Sequence, residues 1–556
     1  MSQPALQPIP LGRSKFSALR SDNAVYVDKT EMLYNLCRTS SKVFLARPRR
    51  FGKSLLVSTF ESLFKHGIRD FAGLAIEKLW SDTTYKVVSL DFSQIQDYES
   101  PKDFEEQFLT YIHGVFRDSV GYDGKADLID LSLWLSKQPD NSIVLLIDEY
   151  DAPLTISIHQ PEVFDKIQRT LNQFFSKIKA NEGCLRFFFM TGITKYANTG
   201  IFSGFNNIDD ISLSVNYGTI LGYTEEELSR NFSAHLMQAA KTLGSDVKEV
   251  IEQLRKHYDG FSFDRKGRTH VYCPWSVLKF LKAPADGFLN YWCQNAKPTA
   301  LMQYLRLHPL DATVMNEEKR GMSLNDLDSS LALPNLTLEN LLLQTGYYTI
   351  KKELMPGYVE IGYPNQEVSI SMAQLYADEL LRNKNKIALG IPTIASALEH
   401  QSLDEIVRLF NNMFNGIDYG DYSIINESMC RVLLQFLLHG AAMLPHVEVH
   451  SAHGRSDLEV DAKTRRWVFE IKFARTEAEE LKLLEEGKAQ MTDRRYGETP
   501  MATGMSLHRA VLVFSKDKRR FVQWPKLGYR NTESPGKFFK MSSARGHLFF
   551  DSYVFL

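Results

Sequence analysis

The sequence predicts an α/β protein: a parallel sheet with helices on both faces, then a mainly helical region, then a second, strand-rich α/β domain. Three observations lead there. Short continuous apolar runs at 42–46, 85–92, 143–147 and 185–192 alternate with stretches of helical spacing, as in parallel strands buried on both faces. From Thr224 to about residue 330 the pattern is mostly helical. Residues 445–525 turn strand-rich, and 445–556 carry about 20 Lys and Arg against about 15 Asp and Glu, a mild local positive excess. At 556 residues the chain has room for three or four domains. The boundaries suggested are 1–220, 221–385 and 386–556.

Composition narrows the class. Hydrophobic residues at 44% supply several cores, while a net charge of -2 says nothing of a partner, since a local basic surface can hide in a neutral total. Cys37, Cys184, Cys273, Cys293 and Cys430 are odd in number and never spaced C-x-x-C, which favours reduced thiols and a cytoplasmic setting. MSQPALQPIPLG lacks the apolar region of a signal peptide. The run Val432–Leu444 is too short to span a bilayer and reads as a core helix, so no membrane partner is expected.

The first strand, KVFLA, leads into RPRRFGKS and then the helical SLLVSTFESLF. Phosphate is held where backbone N–H groups converge at a helix N-terminus, whose dipole favours negative charge. Gly52 lets the backbone approach, Lys53 reaches the β- and γ-phosphates, and Ser54 offers magnesium a hydroxyl. The loop from Arg49 and Arg50 through Phe51 to Leu55 is thus the expected cofactor-binding segment for ATP. Arg47 stands where the general pattern has glycine; it and its two neighbours either neutralise phosphate or pair with the acidic rim of the sheet. The strand IVLLI ends in Asp148 and Glu149, placing a carboxylate for magnesium beside one that can polarise a water. YKVVSLDF lies between these motifs and ends in Asp91, while LRFFFMTG ends in Thr191. That order suits the P-loop NTPase class in which the glutamate is the base and Thr191 or Thr194 senses the γ-phosphate. Thr224 to Glu227 is a capping box opening a helix. Beyond it, LTLENLLLQ, GYYTIKKE, a turn at Pro356-Gly357 and YVEIGYP make a helix plus hairpin that would suit a winged-helix-like module.

YVDKTEML (26–33), RPRRFGKSLL (47–56), LIDEYDAPL (146–154), TGI (191–193), YDGFSF (258–263), VYCPWSVL (271–278) and YPNQEV (363–368) together resemble the bacterial AAA-ATPase-like family. Proteins of that family commonly carry a C-terminal PD-(D/E)XK nuclease domain. The resemblance covers most of the chain and makes arginine at the start of the loop a family trait. It implies ATP at Gly52, Lys53, Ser54, Asp148 and Glu149, and a restriction-endonuclease-like fold at the carboxyl end. For Asp28, Lys29, Tyr258, Asp259, Pro274, Asn365 and Glu367 it implies no definite role.

In GRSDLEVDAKTRRWVFEIK, Asp457 begins a strand, and Glu470 and Lys472 share one side of another while Ile471 points to the core. A hairpin through 461–466 brings Asp457 beside Glu470, an oxygen-rich site for Mg²⁺ or Mn²⁺, with Lys472 beside the attacking water. Taken without the resemblance, this spacing is equally that of an ordinary exposed hairpin. The superfamily resemblance adds Glu427 as a further acidic metal ligand and Gln490 as the glutamine that follows Glu-x-Lys. Ser456 replaces the name-giving proline. Arg465, Arg466, Trp467, Arg494, Arg495 and Tyr496 could meet a phosphate backbone of DNA or RNA. His446, His450 and His453 near Glu448 have spacings open to zinc, but no cysteine joins them and they straddle strand and loop. The leading expectation is an ATP-controlled, metal-dependent nuclease. The alternatives are an ATP-driven switch whose nuclease-like domain only binds nucleic acid or protein, and a plain ATPase with a structural tail. A homo-oligomer stays open.

Overall fold

A computed structural model describes residues 6–96, 98–157, 160–195, 207–292, 301–302, 304, 320–328, 337–380, 393–417, 424–441, 443, 445–451, 454–498 and 504–527. His453 and Cys293 fall outside them, as do the side chains of Glu448 and His450. The zinc reading therefore lies largely outside the described residues. Cys37, Cys184, Cys273 and Cys430 are free thiols, all buried.

The four apolar runs form strands β1 (Lys42–Ala46), β2 (Lys86–Asp91), β3 (Ile143–Asp148) and β4 (Leu185–Gly192). With the short β5 (Asp209–Asp210) they make one parallel sheet in the order β2-β3-β4-β1-β5. Strand β4 is therefore inserted between the strand that precedes the phosphate loop and the strand that ends in Asp148-Glu149. Alternate side chains face opposite ways, and both faces are covered. Val43, Leu45, Phe187 and Phe189 pack with Phe60 and Phe64 of the helix Lys53–His66. Phe44, Leu145, Phe188 and Met190 pack with Phe108 and Phe174 of the helices Pro101–Val120 and Pro161–Ala180.

The middle region is largely helical, and its capping box is complete: Glu227 N donates to Thr224 Oγ1 at 3.3 Å and Thr224 N to Glu227 Oε2 at 2.9 Å. The helix Leu338–Thr345 and the hairpin β7 (Thr349–Met355) and β8 (Tyr358–Gly362) lie where expected. A further strand, β6 (Arg320–Ser323), joins them in a three-stranded antiparallel sheet ordered β6-β8-β7. The carboxyl-terminal part opens with the helix Glu427–Gly440, whose interior positions are buried. A mixed sheet follows: β9 (Pro445–Ser451), β10 (Gly454–Asp461), β11 (Arg465–Ala474), β12 (Ser506–Ser515), β13 (Arg520–Gln523) and β14 (Lys526–Leu527). Its order is β13-β12-β11-β10-β9, with β11 and β12 parallel and the helix Glu477–Asp493 connecting them. Asp457 lies inside β10 rather than at its start, because the strand begins at Gly454.

Candidate functional site

Gly52 adopts φ +94°, a left-handed conformation that costs glycine little, and caps the helix that begins at Lys53. Lys53 is 6% exposed, and its Nζ donates to the carbonyls of Arg47 and Pro48, each at 3.1 Å. Burial presses its pKa below the ordinary lysine value, while Asp148, Glu149 and Asp151 pull the other way. Burial also raises the carboxyl groups of Asp148 and Glu149; a hydrogen bond from Ser54 and the charge of Lys53 oppose it at Asp148. Glu149 is itself left-handed, φ +48°.

The loop borders a cavity of about 370 Å³. Arg49, Arg50, Phe51, Gly52, Lys53, Ser54, Leu55 and Glu149 are part of its lining. Tyr26, Val27, Leu221, Tyr223, Trp275 and Leu278 add apolar and aromatic surface to it. Tyr26 and Val27 come from YVDKTEML, and Trp275 and Leu278 from VYCPWSVL, segments that carried no definite role in the sequence. A chamber lined by both apolar and cationic side chains offers a nucleotide's base and its phosphates each a chemically suitable surface.

Several residues expected at the phosphates make hydrogen bonds or ring contacts within the protein. Arg47 donates to the carbonyls of Ala46 (2.9 Å), Ser212 (2.6 Å) and Tyr217 (3.1 Å), and its guanidinium lies 4.3 Å from the Phe263 ring centroid. It ties the loop to the fold, and the nearby charge of Asp210 partly offsets its burial. The fully buried Thr191 hydroxyl donates to Leu45 O at 2.7 Å, and that of Thr194 to Asp151 Oδ2 at 2.6 Å. Arg50 packs its guanidinium 4.2 Å from the Trp275 ring centroid.

Phe261, Phe263 and Trp292 hold the middle region to this loop, and the unassigned motif residues brace the segments around it. Phe51 meets Phe261 and Phe263 edge-on at 4.9 and 5.0 Å, and Trp292 Nε1 donates to Arg49 O at 3.3 Å. Lys29 pairs with Glu227 at 2.5 Å, and Asp28 accepts Thr30 N (2.9 Å) and Ala75 N (2.8 Å). Pro274 opens the helix Pro274–Lys282 at a position where no N–H is needed. Tyr258 donates to Leu289 O at 2.9 Å, and Asn365 to Asp259 O at 2.6 Å. Glu367, fully buried, accepts Ser276 Oγ (2.7 Å), Tyr291 N (2.6 Å) and Trp292 N (2.8 Å).

In the second constellation Glu427, Asp457, Glu470 and Lys472 converge. Lys472 Nζ lies 2.7 Å from Glu470 Oε1 and 3.7 Å from Glu427 Oε1. Asp457 Oδ2 accepts Ile471 N at 2.8 Å across the hairpin. Burial, then the charge of Asp457, pushes Glu470 up to about 7, and burial likewise raises Asp457 and Glu427. Burial works against charged Lys472, but the three carboxylates outweigh it and raise its pKa. Glu470 Oε2 is buried with no partner. Three carboxylates against one ammonium, with an orphaned buried oxygen, are donors of the chemistry a hard divalent cation takes, but they are not gathered into a ready metal site. Among the described residues, no group of three or more His, Cys, Asp or Glu side chains is gathered closely enough to hold a metal ion. The ammonium of Lys472 bridges Glu470 and Glu427, and one Asp457 oxygen is spent on the strand.

Gln490 Nε2 contacts Tyr496 OH at 3.0 Å, and the same oxygen accepts Arg494 Nη1 at 3.2 Å. Of the expected backbone-binding residues, Arg466 is bound by Asp461 (2.6 and 2.8 Å), and Arg465 donates to Gln401 O at 3.0 Å. Trp467 is buried with its Nε1 on Leu398 O at 2.7 Å, and Tyr496 is buried too. Arg494 and Arg495 are the members of that set that stay exposed.

Residues 10–202 match the family model described as a predicted AAA-ATPase, and residues 426–524 match that of the PD-(D/E)XK nuclease superfamily. The chain is also similar to an uncharacterized protein in the vnfD 5′ region of Azotobacter chroococcum mcd 1, 27% identical over 92% of this chain and 98% of that protein. No helix among the described residues is long and apolar enough to cross a membrane.

Proposed function

From an AAA-ATPase-like domain at the amino end and a PD-(D/E)XK nuclease-superfamily domain at the carboxyl end, we propose an ATP-binding and hydrolysing protein that controls a metal-dependent phosphodiesterase acting on nucleic acid. The working division is 1–220 for nucleotide, 221–385 as connector and 386–556 for phosphodiester chemistry. The observation that carries the reading is the convergence of Lys472 on Glu470 and Glu427 beside Asp457, from a helix and two strands.

At the nucleotide site, Lys53 would exchange two backbone carbonyls for phosphate oxygens, and Ser54 and Asp148 would hold magnesium. Glu149, at the cavity wall and raised by burial, accepts the proton of the attacking water. At the second site, Asp457, Glu470 and Glu427 would hold a divalent cation. When bound, such a cation lowers the pKa of a coordinated water and stabilises charge gathering on the phosphate oxygens. Lys472 orients that water, Gln490 supports the site from its helix, and Arg494 and Arg495 face the polyanion.

A second reading, a nuclease-like domain that binds without cutting, is favoured by the ammonium seated between two carboxylates and by the absence of a metal-ready trio among the described residues. Incubation with DNA and with RNA, plus Mg²⁺ or Mn²⁺, with and without ATP, separates the two. Cleavage lost in Lys472→Ala and Asp457→Ala supports the first. Binding without cleavage under every condition supports the second.

A further inference from the structure

Glu149 occupies a conformation that a non-glycine residue adopts at a cost of about 1 kcal/mol, and something must hold it there. The two residues that follow it are both pinned to the end of β4. Tyr150 N donates to Thr191 O at 3.1 Å, and Tyr150 OH to Thr194 O at 2.8 Å. Asp151 is 2% exposed and accepts Ile193 N (3.1 Å), Thr194 N (2.8 Å) and Thr194 Oγ1 (2.6 Å). A buried carboxylate is costly unless its oxygens are met by donors, and here all three come from one turn. The fit leaves no slack: a Cβ on Gly192 would lie 2.5 Å from Asp151 Oδ1 and 2.7 Å from the Tyr150 ring. On its other side, Glu149 N donates to Asp148 Oδ1 at 3.0 Å.

We infer that Tyr150 and Asp151 are positioning residues for ATP hydrolysis: by clamping the turn 191–194 they fix Glu149 in its left-handed setting over the phosphate loop. This rests on the proposed role of Glu149 as base. It assigns the two threonines a different part from γ-phosphate sensing, since Thr194 is a donor inside the clamp and Thr191 ties β4 to β1. Release of the clamp lets Glu149 relax toward right-handed φ and carries its carboxylate off the line of the water. Lys53 and Ser54 sit on a different strand–helix junction and keep their grip on the phosphates.

The test is steady-state ATP hydrolysis together with equilibrium ATP binding for Tyr150→Phe, Thr194→Val and Asp151→Asn, alongside Glu149→Gln and Lys53→Ala. The expected result is a graded fall in kcat, about tenfold or more for Asp151→Asn, with ATP affinity within about twofold of wild type. Tyr150→Phe loses one hydrogen bond only and keeps the assay readable if Asp151→Asn unfolds. Adding Asp151→Asn to Glu149→Gln lowers kcat no further, because the clamp acts through that residue. Unchanged kcat in all three clamp variants, parallel loss of affinity, or an additive double variant overturns the clamp. Hydrolysis that survives both Lys53→Ala and Glu149→Gln overturns the nucleotide-site reading itself, and the clamp with it.

Discussion

Lys472 is the residue on which both readings of the carboxyl-terminal domain turn. Its ammonium is the partner of a Glu470 whose other oxygen already has none. Removing one member of a buried pair leaves an uncompensated charge, typically at about 3–5 kcal/mol. Lys472→Met is therefore expected to lower stability in urea unfolding, and Lys472→Met with Glu470→Gln to regain much of the loss. A double variant no more stable than the single would mean that the pair is not coupled. His439, on the helix Glu427–Gly440 that also carries Glu427, offers a separate check. Burial depresses its pKa from the ordinary value to about 4. Between the unfolded value near 6.5 and about 4 the unfolded chain binds more protons, so stability rises with pH across that window and falls on acidification. In His439→Leu the slope of melting temperature between pH 4 and 6.5 should be shallower than in wild type. An unchanged slope would show that His439 does not titrate there.

At the scale of elements, the strands were legible because each is a continuous apolar run, buried on both faces by helices close in sequence. Their order was not legible, because which strand lies beside which is a long-range choice: β4 pairs with β1 at positions 146 residues apart, as Lys42 with Phe188. Strand β5 has two residues and β6 four, too short for any periodicity to register. The same division holds for the sites. Gly52-Lys53-Ser54 and Asp148-Glu149 are local signals at strand ends. The commitment of Arg47, Thr191 and Thr194 to structural hydrogen bonds depends on partners from other segments. The docking of YDGFSF on YPNQEV is of the second kind. Gly260, at φ +91°, brings its α-carbon so close to Pro364 that a Cβ would lie 2.2 Å from that carbonyl oxygen. Neither the backbone conformation nor the space admits a side chain. Gly260→Ala should cost at least about 2 kcal/mol, while Gly244→Ala, with the same sign of φ but open space around it, should cost less. Equal losses in chemical denaturation would show that φ alone, not the contact, is responsible.

For the whole molecule, the proposed function requires that nucleotide at Lys53 be felt at Lys472. The phosphate loop is packed by Phe261, Phe263 and Trp292 of the middle region, and Glu367 ties Trp292 to the start of the helix Gln366–Leu380. That helix packs on Glu427–Gly440, where Tyr376 stacks on Phe436 at 4.8 Å. Glu427 is the first residue of the helix so contacted. One hydrophobic cluster runs without a break from Phe51 to Phe436 and on to Phe469. A ligand that binds only the folded state stabilises whatever unfolds cooperatively with its site, by about 2.7 kcal/mol at a hundredfold excess over Kd. ATP should therefore raise the melting temperature of the carboxyl-terminal domain as well as that of the nucleotide domain. The two can be followed separately by hydrogen exchange of the β3 and β11 amides. Phe436→Ala removes the stacked ring and leaves both sites' own residues in place. In that variant ATP should still protect β3, and protection of β11 should no longer respond to it. Protection of β11 that still follows ATP in Phe436→Ala would place the coupling on another route. No response of β11 to ATP in the wild-type protein would mean that the continuous core does not carry it.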